Sequence, residues 1–94
     1  MAKLATATVQ VDNERVRVTA WRFAPGESTG HHRHELSYVI VPLTTGHLLI
    51  RDATGEHTVD LEAGATYTRE AGVEHDVINP GPAHFAFVEI ELKV

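Results

Sequence analysis

Apolar and polar residues alternate with a period of two along much of the chain, and no stretch sustains a helical period. Leu4 to Val11 reads as a first strand that mixes β-branched residues with alanine. In Arg15 to Phe23, Val16, Val18 and Ala20 face one way and Arg15, Arg17, Thr19 and Trp21 the other, until Pro25-Gly26 stops the run. His31 to Leu43 is a long β-rich segment. Its Leu36-Ser37-Tyr38-Val39-Ile40-Val41 stretch is too apolar to be half exposed, which places it centrally in a sheet. Thr44-Thr45-Gly46 turns into His47 to Arg51, and Asp52-Ala53-Thr54-Gly55 forms a hairpin turn into Glu56 to Leu61. Glu62-Ala63-Gly64 turns into Ala65 to Arg69. His75 to Asn79 is a short strand closed by Pro80-Gly81-Pro82. The final run, His84 to Val94, has an apolar face of Ala86, Val88, Ile90 and Leu92, with Phe85, Phe87, Glu89 and Glu91 on the other side. Many short strands between Gly/Pro turns indicate an all-β sandwich or barrel.

Within this framework two runs carry chemistry. His32-Arg33-His34 follows Gly26 by a spacer of five residues; a second spacer of five, Ala65 to Arg69, follows Gly64 and leads through Glu70-Ala71 into Gly72-Val73-Glu74-His75, with Asn79 behind it. Residues i and i+2 of a strand share a face, so His32 and His34 project together and Arg33 points away. An antiparallel neighbour carrying His75 supplies a third imidazole. Imidazole nitrogens suit transition metals better than Mg or Ca, and three protein ligands leave positions open on the ion. His31, His47, His57 and His84 fit neither run and are expected at surface or turn positions. Gly26, Gly46, Gly64 and Gly72 are expected to supply positive φ at tight turns, and Asn79 to shape the turn before Pro80.

Composition narrows the remaining choices. Ninety-four residues are expected to form one domain, residues 1–94. A chain of this length buries only about 60–65% of its unfolded surface, and pairing with a second copy would add to that. The net charge of −5 and the pI near 5.7, with no basic patch, argue against nucleic acid or an anionic membrane as partner. No apolar stretch is long enough for a transmembrane helix, and the first residues lack the apolar core of a signal peptide. Without cysteine there are no disulfides or thiolate ligands, in keeping with a cytoplasmic protein.

The two motifs together resemble those of the cupin family. The first family motif reads Gly, five residues, His-x-His, three or four residues, Glu, six residues, Gly; here Gly26, His32, His34 and Gly46 match. The second reads Gly, five residues, Pro-x-Gly, two residues, His, three residues, Asn; here Gly64, Gly72, His75 and Asn79 match, with Glu70 in place of the proline. The phrase from Trp21 to Gly26, continued by Tyr38 to Leu43, also resembles a group of small bacterial cupins, some associated with β-alanine degradation. The resemblance implies a double-stranded β-helix, or jelly-roll barrel. It also implies one divalent transition metal (Fe, Mn, Zn, Ni or Cu) held by His32, His34 and His75.

One departure bears on the metal. The positions of the family's motif-one glutamate hold Tyr38 or Val39, so the sphere is expected to be completed by water or small molecules, as in the three-histidine iron sites of some cupin dioxygenases. Glu35 points to the opposite face by parity. Tyr38 shares the parity of the two histidines and either lines the metal pocket or packs in the core. Glu89 enters the pocket only if the Phe85/Phe87 face lines the barrel; the simpler expectation is an exposed strand glutamate. Tyr67 and Arg69 either contact an anionic substrate or form a solvated rim. Two functions follow: a small metal-dependent, dioxygenase-like enzyme acting on an anionic or enolisable molecule, or a non-catalytic ligand-binding, sensor or accessory module. A homodimer is expected, with Leu4 to Val11 and His84 to Val94 at its interface, because both runs are strand-like and no helix covers them.

Overall fold

A computed structural model describes residues 3–93; the expectation for Val94 lies outside them. Eleven strands and no helix occur among the described residues: β1 (Lys3–Leu4), β2 (Thr6–Asp12), β3 (Val16–Phe23), β4 (Glu27–Ser28), β5 (His32–Arg33), β6 (Tyr38–Pro42), β7 (Gly46–Asp52), β8 (Gly55–Leu61), β9 (Tyr67–Arg69), β10 (Glu74–Ile78) and β11 (Phe85–Leu92). One sheet runs β1-β4-β10-β7-β8, with β5 also paired to β10. The other runs β2-β3-β11-β6-β9. This is the expected all-β jelly roll.

Two runs that read as single strands are each divided between the sheets. The first breaks at Ala5, whose N–H donates to Ser28 O at 2.7 Å, so β1 joins one sheet and β2 the other. The second breaks between Arg33 and Tyr38, so that β5 serves the sheet of β10 while β6 lies between β11 and β9. A period-two pattern persists when a chain changes sheets, because the alternation of inward and outward residues can continue across the bend.

The faces of the second sheet are the main correction to the sequence reading. Across β3 and β11, Phe85 pairs with Phe23, Phe87 with Trp21, Glu89 with Thr19 and Glu91 with Arg17. These residues face the barrel interior. Phe23, Phe85 and Phe87 are buried, with the Phe23 and Phe87 rings 5.5 Å apart, and they pack with Tyr38, Ile40, Leu48 and Val77 into one core. The aliphatic set of Ala86, Val88, Ile90 and Leu92 therefore lies on the outside, beside Val16, Val18 and Ala20 and next to Val39 and Val41 of β6. Aromatic rings fill the wide space between two sheets better than valine and alanine do, so the more polar-looking face of β11 is the one that turns in. As a result Glu89 is not an exposed strand glutamate: it is only 8% exposed.

Turn chemistry locks the ends. Gly26, Gly64 and Gly72 have φ of +84°, +82° and +102°, as the motif spacing predicts. Gly46 differs from that expectation. It has no positive φ, but a Cβ there would meet the Phe85 ring at 3.2 Å, so space rather than backbone conformation selects it. Asn79 is 2% exposed and ties the barrel end together. Its side-chain amide donates to Phe23 O (3.1 Å) and Ala83 O (2.8 Å), and its Oδ1 accepts from Gly81 N.

Truncating the central ring should be severe. Phe23→Ala is expected to cost about 3–5 kcal/mol in urea unfolding, whereas Leu43→Ala, at a half-exposed site, should change stability by less than about 0.5 kcal/mol. Equal costs at the two positions would contradict the placement of the core.

Candidate metal centre

The three histidines of the two motifs meet inside the barrel. β10 and β5 pair antiparallel with His75 opposite His32, so both project to the same face. His34 lies just past the end of β5. Its backbone is held in the same ladder direction, His34 N–H donating to Val73 O and Gly72 N–H to His34 O, each at 2.8 Å. The Nε2 atoms of His32 and His34 are 2.9 Å apart, and those of His34 and His75 3.2 Å. His34 is buried, and its ring stacks on Tyr38 with centroids 3.9 Å apart. Tyr38 belongs to the core cluster and also borders the space beside the three imidazoles.

The His32 tautomer points its lone pair inward. His32 Nδ1 lies 2.9 Å from Gly30 O, a pure acceptor, so Nδ1 carries the proton and Nε2 faces the cluster unprotonated. Burial, reinforced by the neighbouring imidazoles, lowers His34 and His75 to about 4. Nε2 of His34 and Nε2 of His75 can therefore offer lone pairs at neutral pH. Converging lone pairs with too few protons between them are satisfied by a cation, and this donor set fits a transition metal. N···N gaps of 2.9 and 3.2 Å are spans that one ion could bridge.

Among the described residues, no carboxylate enters the space between the nitrogens. Glu35 is exposed and pairs with Arg33 at 3.1 Å. Glu89 lines the same internal space but stands behind the His34 ring, its Oε2 3.9 Å from Nδ1. Burial raises its carboxyl to about 7, with Glu91 adding to the effect and the Trp21 indole opposing it. With His34 lowered to about 4, this contact is not an ion pair at neutral pH.

A cavity of about 410 Å³ opens on the His75 side and is lined in part by Tyr38, Ile50, His57, Tyr67 and Arg69. The Arg69 guanidinium sits 4.9 Å from the centre of the Tyr67 ring. Burial raises both phenols, so Tyr38 and Tyr67 remain protonated at neutral pH. His57 is half exposed at the cavity wall, 4.0 Å from Asp52, a placement that sequence spacing does not reveal because it comes from the β7–β8 hairpin. His31, His47 and His84 are exposed, as expected.

The cupin domain family model matches residues 19–91. The beta-alanine degradation protein BauB of Pseudomonas aeruginosa is 55% identical over 89 residues, covering 95% of this chain and 94% of that protein. The crystal structure of a cupin domain from Bordetella pertussis superposes with a TM-score of 0.97 at 55% identity, covering 100% of this chain and 98% of that one. At the level of fold alone, the polyketide cyclase RemF from Streptomyces resistomycificus matches with a TM-score of 0.78 at 20% identity, over 99% of this chain and 68% of that one. With the two motifs placed on facing strands of a jelly roll and these matches spanning nearly its whole length, the chain belongs to the cupin family.

Proposed function

We propose that this cupin binds one divalent transition metal through His32, His34 and His75 and acts on a small oxygen-bearing molecule at that ion. The observation that carries this reading is the convergence of three Nε2 atoms in a part-buried cluster that, among the described residues, no carboxylate enters. A bound metal would supply Lewis acidity or redox chemistry, and three neutral ligands leave its positive charge intact, which favours an anionic or enolisable ligand. The chain's own residues would shape the rest. Tyr38 and Tyr67 offer protonated hydroxyls, and Arg69 supplies a cation at the cavity on the His75 side. Asp52 and Asp60 bring carboxylates to the same cavity, so a molecule bearing both an acid and an amine would find complementary charge there. Together with the name of the Pseudomonas relative, this supports a small amino-acid-derived carboxylate of β-alanine breakdown as the substrate class.

Metal analysis of tag-free protein should find about one equivalent per chain, and His75→Ala should lose it. Full occupancy in His75→Ala would refute the ligand set. An O₂-uptake screen over small carboxylates, ketones and thiols separates the two roles: turnover identifies the enzyme, and tight binding without turnover identifies a binding module.

The metal-free protein should reveal the buried histidines through pH. His34 and His75 titrate near 6.5 when unfolded but near 4 when folded, so each withdraws stability as the pH falls from 6.5 toward 4. Glu89, near 4.5 unfolded and 7 folded, works the other way, its contribution being lost as the pH rises through that range. Two histidines outweigh one glutamate between 4.5 and 6.5. The urea midpoint of metal-free protein should therefore rise with pH across that interval, and a midpoint that falls would contradict the assignment.

We also propose that the protein is a homodimer. All seven residues of β2 are exposed, including Val9 (56%) and Val11 (43%), and the outer face of its sheet is aliphatic. A second copy laid on this edge and face would cover both. Light scattering at micromolar concentration should give about twice 10.3 kDa, and removing the residues before Val11 should weaken dimerisation and stability together. A monomer mass for the intact protein would overturn the proposal.

A further inference from the structure

Glu89 is the buried charged side chain that the ligand set leaves without a task. It lies on the inward face of β11, paired across the sheet with Thr19 and Ile40, and is 8% exposed. Its neighbour on that face, Glu91, is already engaged: the Arg17 guanidinium donates to both of its oxygens, at 2.8 and 3.1 Å. Trp21, also beside Glu89, has a buried indole N–H with no hydrogen-bond partner. A carboxylate removed from water is costly unless a donor or cation compensates it, so its position among these groups calls for one.

His34 presents such a donor. Its Nε2 faces the other imidazoles, which turns Nδ1 toward Glu89 Oε2, 3.9 Å away. The equivalent nitrogen of His32 is already fixed by Gly30 O, whereas among the described residues His34 Nδ1 makes no hydrogen bond. A metal on Nε2 requires the proton on Nδ1 and makes that N–H a stronger donor. The gap exceeds a hydrogen bond by roughly 1 Å, a distance that rotation of a glutamate side chain spans.

We propose that Glu89 is a positioning residue of the metal site, accepting the His34 Nδ1–H from behind the ring and so orienting the most buried of the three ligands. The proposal rests on the three-histidine reading above. It places a carboxylate behind a ligand in a chain whose motif-one glutamate position holds Tyr38 or Val39, and it leaves the ion's open positions free. The Trp21 indole N–H is the natural donor to the second Glu89 oxygen, which would extend the chain as Trp21–Glu89–His34.

Titration of tag-free protein with Co(II), followed through the visible absorption of the bound ion, tests this, with thermal melting of the metal-free protein recorded alongside. Glu89→Ala should bind Co(II) about 10–100-fold more weakly and shift the visible bands, with the metal-free melting temperature unchanged or raised. Glu89→Gln, which keeps a carbonyl acceptor, should lose less affinity. Affinities of both variants within about two-fold of wild type, with unshifted bands, would overturn the role of Glu89 alone. So would a loss of affinity matched by a fall in metal-free melting temperature, which would mark a purely structural residue. A wild-type protein that binds no Co(II) would overturn the metal reading itself, and this inference with it.

Discussion

The register of β5 against β10 is the constraint on which the site depends. β5 contributes only two residues to the ladder, yet it sets His32 opposite His75. A slip of one residue would send His75 to the outside of the sheet and bring Glu74 or Asp76 inward. That register does not rest on two residues alone. β10 is also paired to β7 through Asp76, Val77 and Ile78, and Val77 is anchored in the core. Beyond β5, two backbone hydrogen bonds between His34 and the Gly72–Val73 segment carry the pairing on. The φ of +102° at Gly72 lets the chain turn back for that contact, which gives the motif-two glycine a direct role in aiming the third histidine.

A second consequence follows from a sheet that is apolar on both sides. The inward face of β3 and β11 grades from Phe85, Phe87, Trp21 and Phe23 to Glu89, Glu91 and Arg17, so the barrel interior is apolar at one end and polar at the other. His34 stands at this boundary, stacked on Tyr38 and backed by Glu89. Burial there keeps its imidazole neutral at physiological pH, the form a metal needs. The outward face carries valine, isoleucine and alanine, residues that suit a strand but gain little from water. One strand thus serves the site on one side and offers an apolar surface on the other.

Much of this could be read from the residues. The His-x-His pair and the antiparallel placement of His75 point to three converging histidines, the strand pattern to a sandwich or barrel, and the resemblance of the two motifs to cupins implies the jelly roll. What could not be read was which face of a two-sided strand turns in. In β11 both candidate faces are half or more apolar, and hydropathy favoured the aliphatic one, yet ring volume decided for Phe85 and Phe87. Glu89 and its position behind His34 follow from that choice alone. The changes of sheet at Ala5 and after Arg33 were equally hidden, because alternation continues through a bend. Gly46 shows the same limit at one residue: its motif position suggested backbone conformation, and the reason is the Phe85 ring beside it. His57 reaches the cavity wall only through the hairpin of β7 and β8, which no local pattern announces.

In the reading proposed above, three imidazoles, with no carboxylate, form the protein's share of the metal sphere. X-ray absorption at the metal edge of loaded, tag-free protein measures this directly. Three histidine nitrogens at about 2.0–2.2 Å are expected, with multiple-scattering features for three imidazole rings and the remaining scatterers assignable to solvent. A spectrum with fewer than three imidazoles, or one in which the Glu89→Ala variant loses a directly bound oxygen, would contradict it.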